Sequence, residues 1–171
     1  MHVDYATIDD RPALNFERRI AHPVDAVWRA ITEPEQLEHW FPSSVELDLR
    51  VGGEMTFTFR EMQLAEQPMT LSGEVTDLDP PHLFAFYWGQ DHLKFELAPA
   101  GQGTLLRFTA MLDAKDKAAR DAAGWHMCLD RLELQLGGAT TALGTEPTGE
   151  WRGRYEEYVG RGFPTGAPVP D

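Results

Sequence analysis

The chain has 171 residues, of which 42% are hydrophobic and 11% aromatic; that is enough for one globular domain with a buried core and excludes a disordered chain. Its formal charge of −13 is repelled by phosphate backbones and anionic lipid, so neither nucleic-acid binding nor polybasic membrane docking is expected, and the charge serves solubility. No apolar run reaches the roughly 18–20 residues of a membrane span, and the lone cysteine, Cys128, excludes an internal disulfide and suits a reducing cytoplasm.

The opening MHVDYATIDDRP has no basic n-region and no apolar h-region, so no secretory signal is expected. Residues 1–13 read as a flexible leader broken at Asp9-Asp10-Arg11-Pro12. From Leu14 to Ile20 the apolar positions Leu14, Phe16 and Ile20 share one parity, as in a strand. Arg18 interrupts that face, which puts it near an edge or in a polar pocket. Val24, Val27, Trp28 and Ile31 then follow helical spacing, with Pro23 at the helix start. Thr32 reads as the N-cap of a second short helix carrying Leu37, Trp40 and Phe41, stopped by Pro42.

Val45 to Val51 alternates cleanly, and Gly52-Gly53 predicts a tight hairpin into Met55, Phe57 and Phe59. Residues 61–69 are polar and read as a loop. Further strands are predicted at Thr70–Leu78, Leu83–Trp88, His92–Leu97 and Thr104–Leu112, with turns at the intervening Gly and Pro clusters. Ala114 to Gly137 reads as a long helix with Trp125, Leu129, Leu132 and Leu136 on one stripe and Met127 and Leu134 opposite. The Gly- and Pro-rich tail over 139–171 contains Trp151, Tyr155 and Tyr158 at helical spacing. A short amphipathic helix at 149–159 is expected to pack back over Met127 and Leu134, with the residues from Pro164 onward unstructured.

Motifs for chemistry are sparse. The histidines show no paired ligand spacing and Cys128 has no CxxC partner, so no metal and no cofactor are expected. No GxSxG elbow surrounds Ser43, Ser44 or Ser72, and no phosphate-cradling Gly-rich loop is present. Cys128, mid-helix on the apolar stripe, reads as a small hydrophobe.

The order Ile20-Ala21-His22-Pro23-Val24, Val27-Trp28-Arg29-Ala30-Ile31-Thr32, Pro34-Glu35-Gln36-Leu37-Glu38-His39-Trp40-Phe41, Gly52-Gly53-Glu54, then Gly124-Trp125 with Cys128-Leu129-Asp130-Arg131-Leu132, resembles the Activator of Hsp90 ATPase homologue 1-like family. That family belongs to the START/Bet v 1 (SRPBCC, helix-grip) superfamily. The resemblance implies an α+β helix-grip domain over 14–138: a curved antiparallel sheet of about six or seven strands around a long C-terminal helix, with two short helices between the first two strands. It also implies an apolar cavity between sheet and helix.

Trp40, Phe41, Phe57, Phe59, Phe86, Trp88, Phe95, Phe108, Trp125 and Leu129 either line that cavity or fill it. Trp40-Phe41 is the candidate gate at its mouth. The leading expectation is binding of a small hydrophobic molecule without catalysis. The superfamily also includes polyketide cyclases and aromatases, which makes Arg18, His126 and Glu133 the candidates for acid–base work, with surface charge or an edge salt bridge as their ordinary roles. The eukaryotic namesakes stimulate the Hsp90 ATPase, so a chaperone interaction through the outer sheet face is a third reading. The sequence leaves a homodimer open.

Overall fold

The computed structural model describes residues 1–59, 69–139 and 149–169. In chain order these form β1 (His2–Ile8), β2 (Arg11–Ile20), α1 (Val24–Thr32), α2 (Pro34–Leu37), β3 (Ser44–Leu47), β4 (Glu54–Phe59), β5 (Met69–Asp79), β6 (Leu83–Trp88), β7 (Asp91–Ala100), β8 (Gly103–Met111), α3 (Ala118–Leu136) and α4 (Gly149–Gly160). All strands join one antiparallel sheet in the order β1-β2-β8-β7-β6-β5-β4-β3. The sheet curves around α3, and a register shift between Val75 and Asp77 lies where β5 pairs with β6, an irregularity of the kind that bends a strand.

The core follows from the two-residue period of a strand, which places alternate side chains on one face. Register puts Phe16 opposite Phe108, Phe108 opposite Phe95, and Phe95 opposite Phe84. One row of phenylalanines therefore crosses β2, β8, β7 and β6 on the inner face. Trp125, Leu129 and Leu132 of α3 are buried against that face, as the helical stripe requires.

The sheet has eight strands, not the expected six or seven, because residues 1–13 are not a loose leader. β1 pairs with β2 along its length, from His2↔Glu17 to Ile8↔Arg11. Asp9 and Asp10 hold φ of 49° and 62°, the two left-handed residues that a tight hairpin turn demands. The sequence signal read as a breaker is thus a hairpin turn, and Val3, at the far end of β1 opposite Phe16, is buried.

Other local expectations shift for physical reasons. β3 ends at Leu47 rather than Val51, and Leu49 and Val51 are 41% and 59% exposed. The chain turns over 48–53, where Gly53 N donates to Arg50 O at 2.8 Å. A Cβ on Gly53 would lie 1.9 Å from Asp48 O, so only glycine fits. Thr32 does not cap α2; its hydroxyl donates to Trp28 O at 2.7 Å within α1. The strands expected at 70–78, 83–88, 92–97 and 104–112 fall on β5 to β8 with small differences at their ends. The loop expected over 61–69 lies outside the described residues, except Met69, which begins β5.

α4 forms where a tail helix was expected, but it does not cover Leu134, which remains 51% exposed. It packs on α3 through Tyr158, which is fully buried beside His126. The residues after α4 are not unstructured up to 169. Phe163 is buried against Tyr158 and Tyr5, Ala119 N donates to Pro164 O at 3.0 Å, and Ala167 N donates to Asp116 O at 3.2 Å. This segment runs beside the start of α3. Among the described residues no helix is long and apolar enough to cross a membrane.

Candidate functional site

Aromatic rings occupy most of the space between the sheet and α3. Phe95 stacks on Phe108 at 4.5 Å between centroids, Phe108 meets Trp125 at 5.0 Å, and Phe86 lies 5.9 Å from Phe57. Phe41 contacts Phe57, Phe86 and Trp125 at 5.6–6.3 Å. Trp40 is fully buried, and its indole N–H donates to Ala30 O at 2.8 Å. Trp40 and Phe41 are thus core, and neither is positioned as a gate. The same holds for Phe57, Phe86, Phe95, Phe108 and Leu129, all buried, while Phe59 is partly buried against Trp88 at 6.1 Å.

Open space survives at one end of this core. An open, mostly apolar cleft of about 200 Å³ lies among Trp88 at the end of β6, Trp125 and Cys128 of α3, Trp151 of α4, and Pro42 after α2. Gly124 forms bare wall, and Arg120 with Asp121 makes the charged rim, joined by a 2.7 Å hydrogen bond from Arg120 Nε. Trp88 and Trp125 meet edge to face at 5.3 Å. The Trp88 indole N–H is buried with no acceptor among the described residues. Burial pushes the Cys128 thiol up to about 12, so it stays protonated and behaves as an apolar group.

Of the lining residues read from the sequence, Trp88 and Trp125 border this cleft. Sequence reasoning missed Pro42, Arg120, Asp121, Gly124, Cys128 and Trp151 as lining. Trp151 belongs to a helix whose docking no local pattern reveals; the Gly124-Trp125 pair on the long helix was the available signal.

The three acid–base candidates converge elsewhere, on the seam of β2, α3 and α4. Arg18 is 7% exposed and donates from Nη1 to Glu133 at 2.9 Å and from Nη2 to Asp130. His126 shares a 2.7 Å hydrogen bond with the Tyr158 hydroxyl, and its other ring nitrogen lies 3.8 Å from Asp130. Burial holds the imidazole down at about 4, against the pull of Asp130, and pushes the Tyr158 hydroxyl up to about 12. All three candidates are committed to partners, and none borders the tryptophan cleft. A larger open hollow of about 520 Å³ adjoins Arg18, Glu133, Glu17, Arg19 and His2. Its lining carries charges of both signs, and its buried cation, Arg18, already holds two carboxylates.

A second buried ion cluster is a fastening. Lys117 Nζ contacts Asp91 at 2.8 Å and Asp113 at 2.7 Å, tying the 3-10 turn before α3 to the start of β7. Burial pulls the Lys117 ammonium down, and its bonds to Asp113 and Asp91 outweigh that and raise it. Among the described residues no three His, Cys, Asp or Glu side chains are grouped to hold a metal ion.

A curved antiparallel sheet closed around one long C-terminal helix, with two short helices between its strands, defines a helix-grip protein of the START/Bet v 1 type, a scaffold that fits a ligand-binding cavity. The family model described as Activator of Hsp90 ATPase homolog 1-like protein matches residues 21–137, and the chain belongs to that family. Among solved structures it is similar to the conserved protein of unknown function EF2215 from Enterococcus faecalis, with TM-score 0.73, 23% identity, and coverage of 93% of this chain and 91% of that one. CalU16 from Micromonospora echinospora matches with TM-score 0.69, 23% identity, and coverage of 93% and 94%. Protein NE0264 from Nitrosomonas europaea matches with TM-score 0.66, 26% identity, and coverage of 78% and 99%. No curated protein sequence matches the chain.

Proposed function

We propose that this chain binds a small hydrophobic or aromatic molecule, without transforming it, in the cleft bounded by Trp88, Trp125 and Trp151. The observation that carries this reading is the cleft itself: an apolar opening of about 200 Å³ at the edge of an otherwise packed helix-grip core. Its walls supply affinity by removing apolar ligand surface from water, at about 25 cal/mol per Å² before association costs. The volume is below the roughly 300–1,000 Å³ of sites for drug-sized ligands, which favours a ligand of one or two rings.

Binding is favoured over a cyclase-type reaction by what stands at the cleft. An acid or base there needs a free titratable group within reach of the ligand. Asp121 is engaged by Arg120 at 2.7 Å, and the Cys128 thiol is held protonated. Arg18, His126 and Glu133 belong to the separate polar seam.

A thermal-shift screen of one- and two-ring aromatics, such as indole, simple phenols and naphthols, tests the reading. A ligand at a hundred times its Kd adds about 2.7 kcal/mol to stability, and Trp151→Ala should abolish the shift. A screen without any shift, or a shift unchanged by Trp151→Ala, overturns it.

A further inference from the structure

Gly124 sits inside α3, well away from either end. Glycine is a poor helix former compared with alanine, because the unfolded chain loses more freedom when it is ordered. A glycine in a helix interior usually reflects crowding, where a neighbouring backbone leaves no room for a Cβ. Here the reverse holds. A Cβ built on Gly124 meets nothing within 4 Å among the described residues, and its φ lies outside the left-handed region that favours glycine. Alanine would fit and strengthen the helix. Gly124 also forms wall of the tryptophan cleft, so the space that its missing side chain leaves is space inside the cleft.

Resting on the reading of that cleft as a ligand site, we propose that Gly124 is a specificity-determining residue. It keeps one wall as bare backbone so that a flat aromatic ring can lie against α3, with Trp88, Trp125 and Trp151 among the other walls. Trp88 and Trp125, edge to face at 5.3 Å, stand on the same cleft. Indole walls favour an aromatic guest by offset stacking and edge-to-face contact. A bare helix backbone admits a planar ring and excludes a puckered one of equal carbon count.

The test uses the full chain, isothermal titration calorimetry and two probes, 2-naphthol and its saturated counterpart decahydro-2-naphthol. The native protein should bind 2-naphthol at least about tenfold tighter, a difference of about 1.4 kcal/mol. Gly124→Ala should raise Tm by about 2–4 °C and weaken 2-naphthol about tenfold, so that stability and binding move in opposite directions. Gly124→Leu should abolish binding. Equal affinity for the two alcohols, with both lost in Gly124→Leu, overturns the flat-ring inference and leaves the cleft reading standing. Binding of 2-naphthol unchanged in both variants places the ligand elsewhere and overturns the cleft reading as well. Absence of 2-naphthol binding to the native protein, or a Gly124→Ala protein with lower Tm, overturns the role given to Gly124.

Discussion

His126 and Tyr158 share a 2.7 Å hydrogen bond in the buried seam where α4 lies on α3. Tyr158 is the one buried residue of α4 among those described, so this contact does most to seat the helix. Its ring packs 4.9 Å from Phe163, and the Arg161 guanidinium lies 5.1 Å from its centroid. Tyr158→Phe keeps the ring but strands the buried imidazole nitrogen, and should cost about 1–2 kcal/mol. Tyr158→Ala also opens a cavity and should cost about 3–5 kcal/mol. Urea unfolding reads both. A Tyr158→Ala protein as stable as the native one would mean that α4 is not held through this residue.

The same imidazole predicts an acid-sensitive stability. Burial first, then the Arg154 and Arg18 cations, hold His126 down to about 4, against the upward pull of Asp130 and Glu157. An unfolded histidine titrates near 6.5. Between those values the unfolded chain carries a proton that the folded one lacks, so stability rises with pH across this window and is lost as pH falls through it. The contribution reaches at most about 3 kcal/mol. Asp91, whose carboxyl burial raises, acts with the opposite sign in a window that opens at the ordinary carboxylate value and extends upward, so comparison with a variant isolates His126. His126→Gln retains a partner for the Tyr158 hydroxyl and cannot titrate. Its stability should fall less than the native protein's between pH 6.5 and 4, and parallel profiles would exclude His126 as the source.

Arg18 is 7% exposed, but the carboxylates it joins, Asp130 and Glu133, are 32% and 43% exposed. Water therefore reaches the anions when the cation is removed. Arg18→Ala should cost about 1–2 kcal/mol, below the 3–5 kcal/mol of a stranded buried charge. Arg18→Met, which refills the volume of the stem, should cost less than about 1 kcal/mol. Denaturant titration separates the cases, and losses of 4 kcal/mol or more in both variants (the order expected of a buried charge left alone) would contradict this account.

The fold was legible in the sequence where periodicity was long and one-sided. The stripe Trp125, Leu129, Leu132 and the alternation through Phe84, Phe86, Phe95 and Phe108 report burial directly, because each face meets one environment. The first strand was hidden because its turn, Asp9-Asp10, lacks the glycine that usually announces positive φ. Leu49 and Val51 carry strand alternation but no burial, since pattern alone does not say where pairing stops. At the site, sequence identified aromatic residues without distinguishing lining from filling. That distinction depends on ring-to-ring distances such as the 4.5 Å between Phe95 and Phe108. Trp151 reaches the cleft across a non-local helix contact, which no local pattern encodes.

Phe108 tests whether the space under α3 is closed. It is fully buried between Phe95 at 4.5 Å, Trp125 at 5.0 Å and Phe16 at 5.6 Å. Phe108→Ala should cost about 3–5 kcal/mol, the transfer loss plus the cavity left behind. An apolar hole of that kind stays dry and accepts benzene, so the variant should gain thermal stability from benzene. The cleft also offers an apolar surface, so the comparison belongs in the Gly124→Leu background, where the cleft is blocked. Gly124→Leu alone should show no benzene shift, and Gly124→Leu with Phe108→Ala should show one. A benzene shift in Gly124→Leu with Phe108 intact would mean that the native rings leave an open helix–sheet cavity, and the ligand would then sit among Phe57, Phe86, Phe95 and Phe108 rather than at the tryptophans.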